Sequence, residues 1–316
     1  MIRLINLSDN SETQVPMRDF HDTPLVNVWI EATDPTPEEL GAIAEKTGIP
    51  ADFLRLPESE NLVNLRVEPE YGIVNFLIVK EIFAAKIFHP IVLAFSKDNL
   101  ITVIGKEDQS KFKVVKDRMH KVRIDPPSLV AYYILDEIVE DHFIHLEEIE
   151  ANTVSLEEEV LEETGKDILR KVFSLKANLV SFNKILWYER GLIFNLKNCS
   201  ANWCPTRSRS LFDTTHEYLT RQIDIVETYR EILSDAINAH LSTTSNKINT
   251  SIRRLTLVMF YLTIVTTLTS FPNTIATFFG ISQFGSTHSV IIFVALIASI
   301  ILPFIWLRNR KWLKAE

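Results

Sequence analysis

Small polar side chains recur every three or four residues through an otherwise apolar stretch near the C-terminal end of the sequence. Hydroxyl and amide oxygens can face a hydrated metal cation, so this spacing on one helix would present a line of cation-compatible groups. Threonine hydroxyls also bond to their own helix or hold helices together, but Asn273 is more telling, because an amide at membrane depth usually faces a partner or a cavity. We therefore predict a pore-lining stripe along this stretch: Thr256, Met259, Leu262, Thr263, Thr266, Ser270, Asn273 and Thr277.

A run of carboxylates is the second group that could bind cations. Residues 136–163 contain twelve Asp and Glu and no Lys or Arg. Carboxylates bind hard dications through oxygen and raise the local cation concentration, yet a solvated acidic helical surface has the same composition, and both interpretations stay open. His142 and His145 could join a softer-metal site, although surface histidines on a helix are the commoner explanation. The candidate metal ligands are Asp136, Glu137, Glu140, Asp141, Glu157, Glu158 and Glu159.

The polar stripe lies in the first of two apolar stretches, Leu255–Phe279 and Val290–Leu307. Crossing a bilayer takes roughly 20 apolar residues, so each stretch is long enough or nearly so. Arg253 and Arg254 precede the first stretch, and a basic tail follows the second. Basic residues favour the cytoplasmic side. We therefore expect an integral protein of the cell (inner) membrane, in contact with lipid, with both termini cytoplasmic and only the loop 280–289 outside.

A single long helix must position the stripe. From Ser208 to Phe279 there is no glycine, and the one proline is Pro272. If continuous, this helix runs on the order of 100 Å and links the cytoplasmic body to the membrane. One lining helix per subunit cannot enclose a pore, so a ring of identical subunits is required. A cytoplasmic packing face is indicated by Leu219, Ile223, Val226, Tyr229, Leu233 and Ile237.

The upstream sequence divides near residue 128. Residues 1–127 alternate short strand patterns, such as Tyr71–Val79, with a helix that opens at Pro37. Residues 128–207 form an acidic helical hairpin with its turn near Gly165. The fold class is thus an α+β cytoplasmic domain with long helices plus two transmembrane helices. We predict the remaining boundaries as 208–254 for the cytoplasmic part of the stalk helix, 255–279 and 290–307 for the transmembrane helices, 280–289 for the outer loop and 308–316 for the basic tail.

Several functional classes are unsupported. The net charge of −8 argues against nucleic-acid binding, which favours a basic surface. No glycine-rich phosphate loop follows a predicted strand, so no ATP site is visible. No constellation of nucleophile and base indicates an enzyme, and nothing indicates a covalent cofactor.

Short segments along nearly the whole chain resemble the CorA superfamily of divalent-cation transporters. They are Trp29-Ile30, Pro35-Thr36-Pro37-Glu38-Glu39-Leu40, Leu262-Thr263-Ile264-Val265-Thr266-Thr267 and Arg310-Lys311-Trp312-Leu313. The resemblance implies a homopentameric funnel that passes Mg²⁺ or a related dication. It also implies that dications held between cytoplasmic domains regulate the pore by favouring its closed state.

The pore-mouth signature departs from that family. The family ends its first transmembrane helix with Gly-Met-Asn, and here the matching residues are Gly280, Ile281 and Ser282. A serine hydroxyl replaces an amide carbonyl, and the loop residues 283–289 contain no Asp or Glu. Two alternatives therefore stay open. One is a zinc, cobalt or nickel transporter of the same fold, and the other is a membrane-anchored sensor or scaffold that does not transport.

Overall fold

A computed structural model describes residues 1–57, 63–80, 88–121, 126–162, 166–203 and 206–279, together with residues 291, 294, 297, 298 and 301. The chain separates into two compact units, 1–240 and 241–316. The outer loop, the pore-mouth signature, the basic tail and most of the second apolar stretch lie outside the described residues, so their predicted boundaries stay predictions.

The first unit is built on a seven-stranded sheet with the order β2-β1-β3-β7-β6-β5-β4. Neighbouring strands are antiparallel except β3 and β7, which are parallel. The strands are β1 Ile2–Asn6, β2 Glu12–Gln14, β3 Val28–Thr33, β4 Asn64–Val67, β5 Tyr71–Val79, β6 Phe88–Ser96 and β7 Asn99–Ile104.

The sheet is covered by apolar packing on both faces, because side chains alternate along each strand. In β3, Trp29 belongs to one core cluster, and Val28 and Ile30 belong to the other. The cluster around Ile30 includes Leu40 and Ile43 of helix α2. The cluster around Trp29 is larger and takes in the remaining long helices. Besides α1 Met17–Phe20, the helices are α2 Pro37–Thr47, α3 Phe112–Lys121, α4 Pro127–Glu162, α5 Lys166–Lys197 and α6 Thr206–Phe279, with 3-10 turns at Ala51–Phe53 and Lys106–Lys111.

Helix α2 begins where its sequence places it. The Thr36 side chain accepts a hydrogen bond from the backbone N–H of Glu39, and the Glu39 carboxylate accepts one from the backbone N–H of Thr36. This capping box satisfies two N–H groups that the first turn would otherwise leave unpaired. The helix ends at Gly48, whose φ of 72° is the left-handed conformation that glycine adopts without strain.

Helices α4, α5 and α6 pack together in the first unit through apolar side chains spaced three or four residues apart. Fully buried examples are Val139 on α4, Leu186 on α5 and Leu219 on α6. Helix α6 is one uninterrupted helix of 74 residues. Its packing face in the first unit is the predicted one: Leu219, Ile223, Val226 and Leu233 are buried, and Tyr229 and Ile237 pack against the same core.

The connection that precedes α6 is fixed to the sheet by Trp203. Its indole N–H donates to the carbonyl of Glu68 at 2.9 Å, and its ring meets Phe95 edge-on with centroids 4.9 Å apart. The indole also lies directly over Gly72 of β5: a Cβ at that position would lie 2.5 Å from the indole Cη2. The absence of a side chain at residue 72 is what allows this contact.

The predicted elements agree with the structure to different degrees. Strand β5 has its predicted bounds, and the continuous stalk helix is confirmed. Strands β1 and β2 and helix α3 were not predicted. Strand β1 lies between β2 and β3, so its place is determined by pairing with a segment more than twenty residues away.

Candidate functional site

The predicted pore-lining residues share one face of α6. At about 100° per residue, all eight side chains fall within an arc of about 120° on the helix surface. Each of the eight is exposed in the single chain. They form a stripe about one third of the helix circumference wide, which we call the polar stripe, and its positions run from Thr256 to Thr277.

The threonines of the polar stripe make the internal bonds that threonine commonly makes in helices. The hydroxyl of Thr263 donates to the carbonyl of Met259 at 2.8 Å, and the hydroxyl of Thr277 donates to the carbonyl of Asn273 at 2.7 Å. Thr256 and Thr266 bond backwards in the same way. Each hydroxyl oxygen keeps acceptor capacity towards water or an ion, so back-bonding and pore lining are compatible.

Met259 and Leu262 interrupt the polar stripe with apolar surface. They are 60% and 61% exposed, similar to Val258 at 62% on the same helix. An exposed ring of such side chains around a narrow path would resist wetting. Beyond Thr277, the predicted mouth Gly280–Ser282 lies outside the described residues.

The helix that carries the stripe is suited to a membrane by its length and composition. Within the described residues, one helix, over Ser210–Phe271, is long and apolar enough to cross a bilayer, and none of its apolar window is buried. Because almost all of Val290–Leu307 lies outside those residues, the second predicted span stays a prediction.

The acidic candidates on α4 are not gathered into one site. The Asp136 carboxylate accepts from the hydroxyl of Thr215 at 2.8 Å, Asp141 pairs with Lys111, and Glu159 pairs with Lys171 at 3.2 Å. Within the described parts of the chain, no group of three or more His, Cys, Asp or Glu side chains is arranged to hold a metal ion. The other exposed candidates are Glu140, Glu157 and Glu158.

Glu137 is a partly buried acidic candidate on α4. Partial burial raises the pKa of its carboxyl group, and the negative charges of Glu140 and Asp141 add to that effect. The nearby Arg118 opposes it. A raised pKa means that the negative charge of this carboxylate is disfavoured by its surroundings, so a counter-cation would stabilise it.

The expectation of surface histidines was wrong for His142. Its side chain is 1% exposed and lies in the bundle interior, edge-on to Phe182 with ring centroids 5.6 Å apart. Burial lowers its pKa to about 4. His145 is half-buried on the same helix, and its Nε2 lies 3.2 Å from the carbonyl oxygen of Val79.

Two residues near His142 were missed by the sequence analysis. Glu189 of α5 and Gln222 of α6 are both fully buried, with Gln222 Oε1 3.4 Å and Glu189 Oε2 3.7 Å from His142 Nδ1. A signal for them exists in the sequence, since each occupies a position in the apolar period of its helix. Glu189 follows Phe182 and Ile185, and Gln222 follows Leu219. Polar residues at core positions of this kind are informative.

Comparison with known proteins identifies relatives along the whole chain. The model of the family described as CorA-like Mg²⁺ transporter protein matches residues 25–310. A cobalt/magnesium transport protein CorA from Methanocaldococcus jannaschii is 26% identical over 98% of this chain and 99% of its own length. One from Thermotoga maritima is 25% identical over 96% of this chain and 87% of its own.

A solved structure shows the same fold. The complete structure of the CorA magnesium transporter from Methanocaldococcus jannaschii superimposes with a TM-score of 0.74, covering 99% of this chain and 98% of that one at 20% identity. At this identity the match is evidence for the architecture of the chain, and the residues that act on an ion must be argued separately.

Proposed function

The chain belongs to the family of CorA-like Mg²⁺ transporter proteins, and from this premise we propose that it carries a divalent cation across the membrane through a pore lined by the polar stripe of α6. The observation that carries the proposal is that stripe. It is a narrow arc of hydroxyl and amide groups, exposed along the one described helix that is able to cross a membrane. The family supplies the class of cargo, and the relatives named as cobalt/magnesium transport proteins support Mg²⁺ or a related dication.

The pore is a ring of five identical subunits. One stripe per chain spans only about a third of a helix surface, so several copies must face each other to surround a path. An amide and hydroxyls around that path can replace part of a hydration shell. The five-fold ring follows the resemblance to the family, and the orientation with both termini in the cytoplasm follows the basic residues that flank the two apolar stretches.

The ion follows the stripe in sequence order from the outer side. It meets the mouth at Gly280–Ser282 and then passes rings formed by Asn273, Ser270, Thr266 and Thr263. Met259 and Leu262 form the apolar constriction, which opens by wetting and closes by dewetting. No ATP site is involved, so the ion moves down its own gradient or with protons.

Regulation uses dications bound by exposed carboxylates of the cytoplasmic body. An ion that binds better to the closed arrangement shifts the population towards it. Glu140, Glu157 and Glu158 are the best candidates among the acidic residues, because Asp141 and Glu159 are already paired with lysines. Glu137 is a further candidate because its charge is partly buried and lies beside those of Glu140 and Asp141, with Arg118 compensating only in part.

A zinc, cobalt or nickel transporter of the same fold is the second candidate function. The observation that favours it is Ser282, which stands where the family has an asparagine. A serine hydroxyl holds a hydrated Mg²⁺ less firmly than an amide carbonyl does, so selectivity at the mouth would be relaxed.

A liposome flux series tests these functions. The purified full-length protein is reconstituted, and uptake of Mg²⁺, Zn²⁺ and Co²⁺ is compared for the wild type, Asn273→Leu and Ser282→Asn. We expect Asn273→Leu to reduce flux strongly and Ser282→Asn to move selectivity towards Mg²⁺. Tyr261→Phe is the matched control, because it removes a hydroxyl from the opposite side of the same helix.

The outcomes separate the candidates. Preferred uptake of Zn²⁺ or Co²⁺ over Mg²⁺ by the wild type would select the second function. If no ion enters and neither substitution has an effect, the chain is a membrane-anchored sensor or scaffold. If Asn273→Leu and Tyr261→Phe change cation flux equally, the polar stripe does not line the pore.

A further inference from the structure

Three polar side chains from three different helices meet in the apolar interior of the bundle. They are His142 of α4, Glu189 of α5 and Gln222 of α6, and none is more than 1% exposed. We call them the buried triad. The residues around them form the larger core cluster and include Phe182, whose ring lies against the imidazole.

The triad is oriented towards a common point. The amide nitrogen of Gln222 donates to the carbonyl of Val139 at 2.7 Å, which leaves its Oε1 directed at the imidazole. His142 Nδ1 lies 3.4 Å from that oxygen and 3.7 Å from Glu189 Oε2. These separations are too long for good hydrogen bonds, which fall at 2.7–3.2 Å.

Among the described residues, the other buried carboxylates are paired with a lysine, and Glu189 is not. Glu31 lies 2.6 Å from Lys116 Nζ and accepts a hydrogen bond from Gln109, and Asp108 lies 2.9 Å from both Lys80 Nζ and His89 Nδ1. In the described part of the chain, neither oxygen of Glu189 nor Nε2 of His142 has a hydrogen-bond partner. No lysine or arginine ion pair reaches Glu189 there.

Unpaired polar groups in an apolar core are costly and are rare in folded proteins. Burial raises the pKa of the Glu189 carboxyl group well above its usual range and lowers that of His142. Apolar residues of the same size would pack here more favourably, so the triad calls for a ligand that uses the free oxygens of Glu189 and lies between them, Nδ1 of His142 and Oε1 of Gln222.

We propose that His142, Glu189 and Gln222 form a buried binding site for a transition-metal dication of the Zn²⁺ and Co²⁺ class. Ligands about 2.1 Å from a tetrahedral ion lie roughly 3.4 Å from each other, and the two measured separations are 3.4 and 3.7 Å. An imidazole nitrogen with a carboxylate suits Zn²⁺, Co²⁺ and Ni²⁺, whereas Mg²⁺ prefers oxygen ligands in octahedral geometry. Helix bundles commonly build metal sites in this way, from Glu and His side chains on facing helices.

The site is separate from the transport path. All three ligands lie in residues 1–240, and the polar stripe lies in residues 241–316. The triad is also distinct from the exposed carboxylates of α4. A bound ion would tie α4, α5 and α6 to one another at a single point, so it would stabilise the first unit whatever ion the pore conducts.

Cobalt titration tests the site directly. The full-length protein in detergent is stripped with a chelator and titrated with Co²⁺, whose visible absorption becomes strong in tetrahedral coordination. We expect one site per chain, displaced by Zn²⁺ and unaffected by excess Mg²⁺. Zn²⁺ should also raise the melting temperature of the first unit.

Two variants and a control define the ligands. Glu189→Gln keeps the size of the side chain and places no charge in the apolar interior, so the empty protein should fold normally while affinity for Co²⁺ falls by on the order of 100-fold. His142→Asn should have a similar effect on affinity. His145→Asn is the matched control, since His145 lies on the same helix outside the triad, and it should bind Co²⁺ as the wild type does.

Defined results would overturn the proposal. Absence of a saturable Co²⁺ site would do so, as would wild-type affinity in a folded Glu189→Gln protein, which would place the ion elsewhere. The measurement needs no ion gradient, so a protein that fails to transport still reports on the triad. If the protein transports cations normally but does not bind Co²⁺ at this site, the proposed metal site is excluded and the proposed transport function stands.

Discussion

Helix α6 carries polar side chains in both units, but it buries some of them in the first unit and none of the described ones in the second. Between Thr206 and His240 the helix buries residues every three or four positions, and Gln222 is enclosed among them. From Leu241 to Thr277, no described side chain is buried. The first part is completed by α4 and α5 of its own chain. In the proposed function, lipid and other copies of the protein cover the second part, with its polar stripe.

A polar side chain therefore needs a partner within its own chain in the first part of the helix but not in the second. A polar residue in the packed part has lost its water and needs a specific partner, which is why His142, Glu189 and Gln222 indicate a ligand. A polar residue on the stripe is uncovered within one chain and becomes informative only in an assembly. The predictions below test this contrast, from the largest expected effect to the smallest.

Trp203→Ala should have the largest effect on the first unit. The indole is 2% exposed, donates to Glu68 and packs on Phe95 and Gly72. Its loss should lower the free energy of unfolding by about 3–5 kcal/mol, measured by chemical denaturation in detergent. Trp187 is 49% exposed, so Trp187→Ala should cost less than about 1 kcal/mol. Similar losses for the two variants would contradict the packing described for Trp203.

The same substitution at two positions of α6 should give two different results. Leu219 is fully buried, and Leu219→Ala should destabilise the first unit by about 2–5 kcal/mol. Leu262 is 61% exposed in the polar stripe, so Leu262→Ala should leave that stability unchanged and alter cation flux in liposomes. If Leu262→Ala destabilised the first unit as much as Leu219→Ala does, the contrast between the two parts would fail.

Acid should weaken the first unit through His142. Burial lowers the pKa of this imidazole from 6.5 to about 4. Between these pH values the imidazole is mostly protonated in the unfolded chain and mostly neutral in the folded chain. The stabilising contribution is complete above pH 6.5 and is lost as the pH falls towards 4, by at most about 1.4 kcal/mol per pH unit. Denaturation of chelator-treated wild type and His142→Asn across this range should show the difference.

The segment that carries the polar stripe has no group that titrates in this pH range, since residues 256–279 contain no Asp, Glu, His, Lys or Arg. A pH dependence of stability between 6.5 and 4 that survives unchanged in His142→Asn would have to come from other groups of the first unit. That result would remove His142 as the cause.

Thr266→Val should have the smallest effect on stability. The hydroxyl is exposed and bonds only within its own helix in the single chain, so unfolding of the first unit should change by less than about 0.5 kcal/mol. Flux should fall, because a methyl group replaces an oxygen in the pore lining. Unchanged flux in a well-folded Thr266→Val protein would mean that this position faces lipid.

The sequence predicts best where local pattern and final environment agree. Strand β5 is a run of β-favouring residues that begins just after Pro69, and the continuity of helix α6 follows from the absence of glycine and the single proline between Ser208 and Phe279. Strand β1 was missed because its place in the sheet comes from pairing with β3, a non-local interaction. His142 was misjudged because acidic neighbours suggest an exposed helix, while its burial depends on how α5 and α6 pack against that face.

The close contact between Gly72 and Trp203 makes the residue types that evolution can accept at these two positions depend on each other. A β-carbon at residue 72 and an indole at residue 203 cannot occupy the same space. Homologous sequences that carry a larger residue at the first position should therefore carry a smaller one at the second. Neither change should be accepted alone, so the pair should vary jointly or stay fixed.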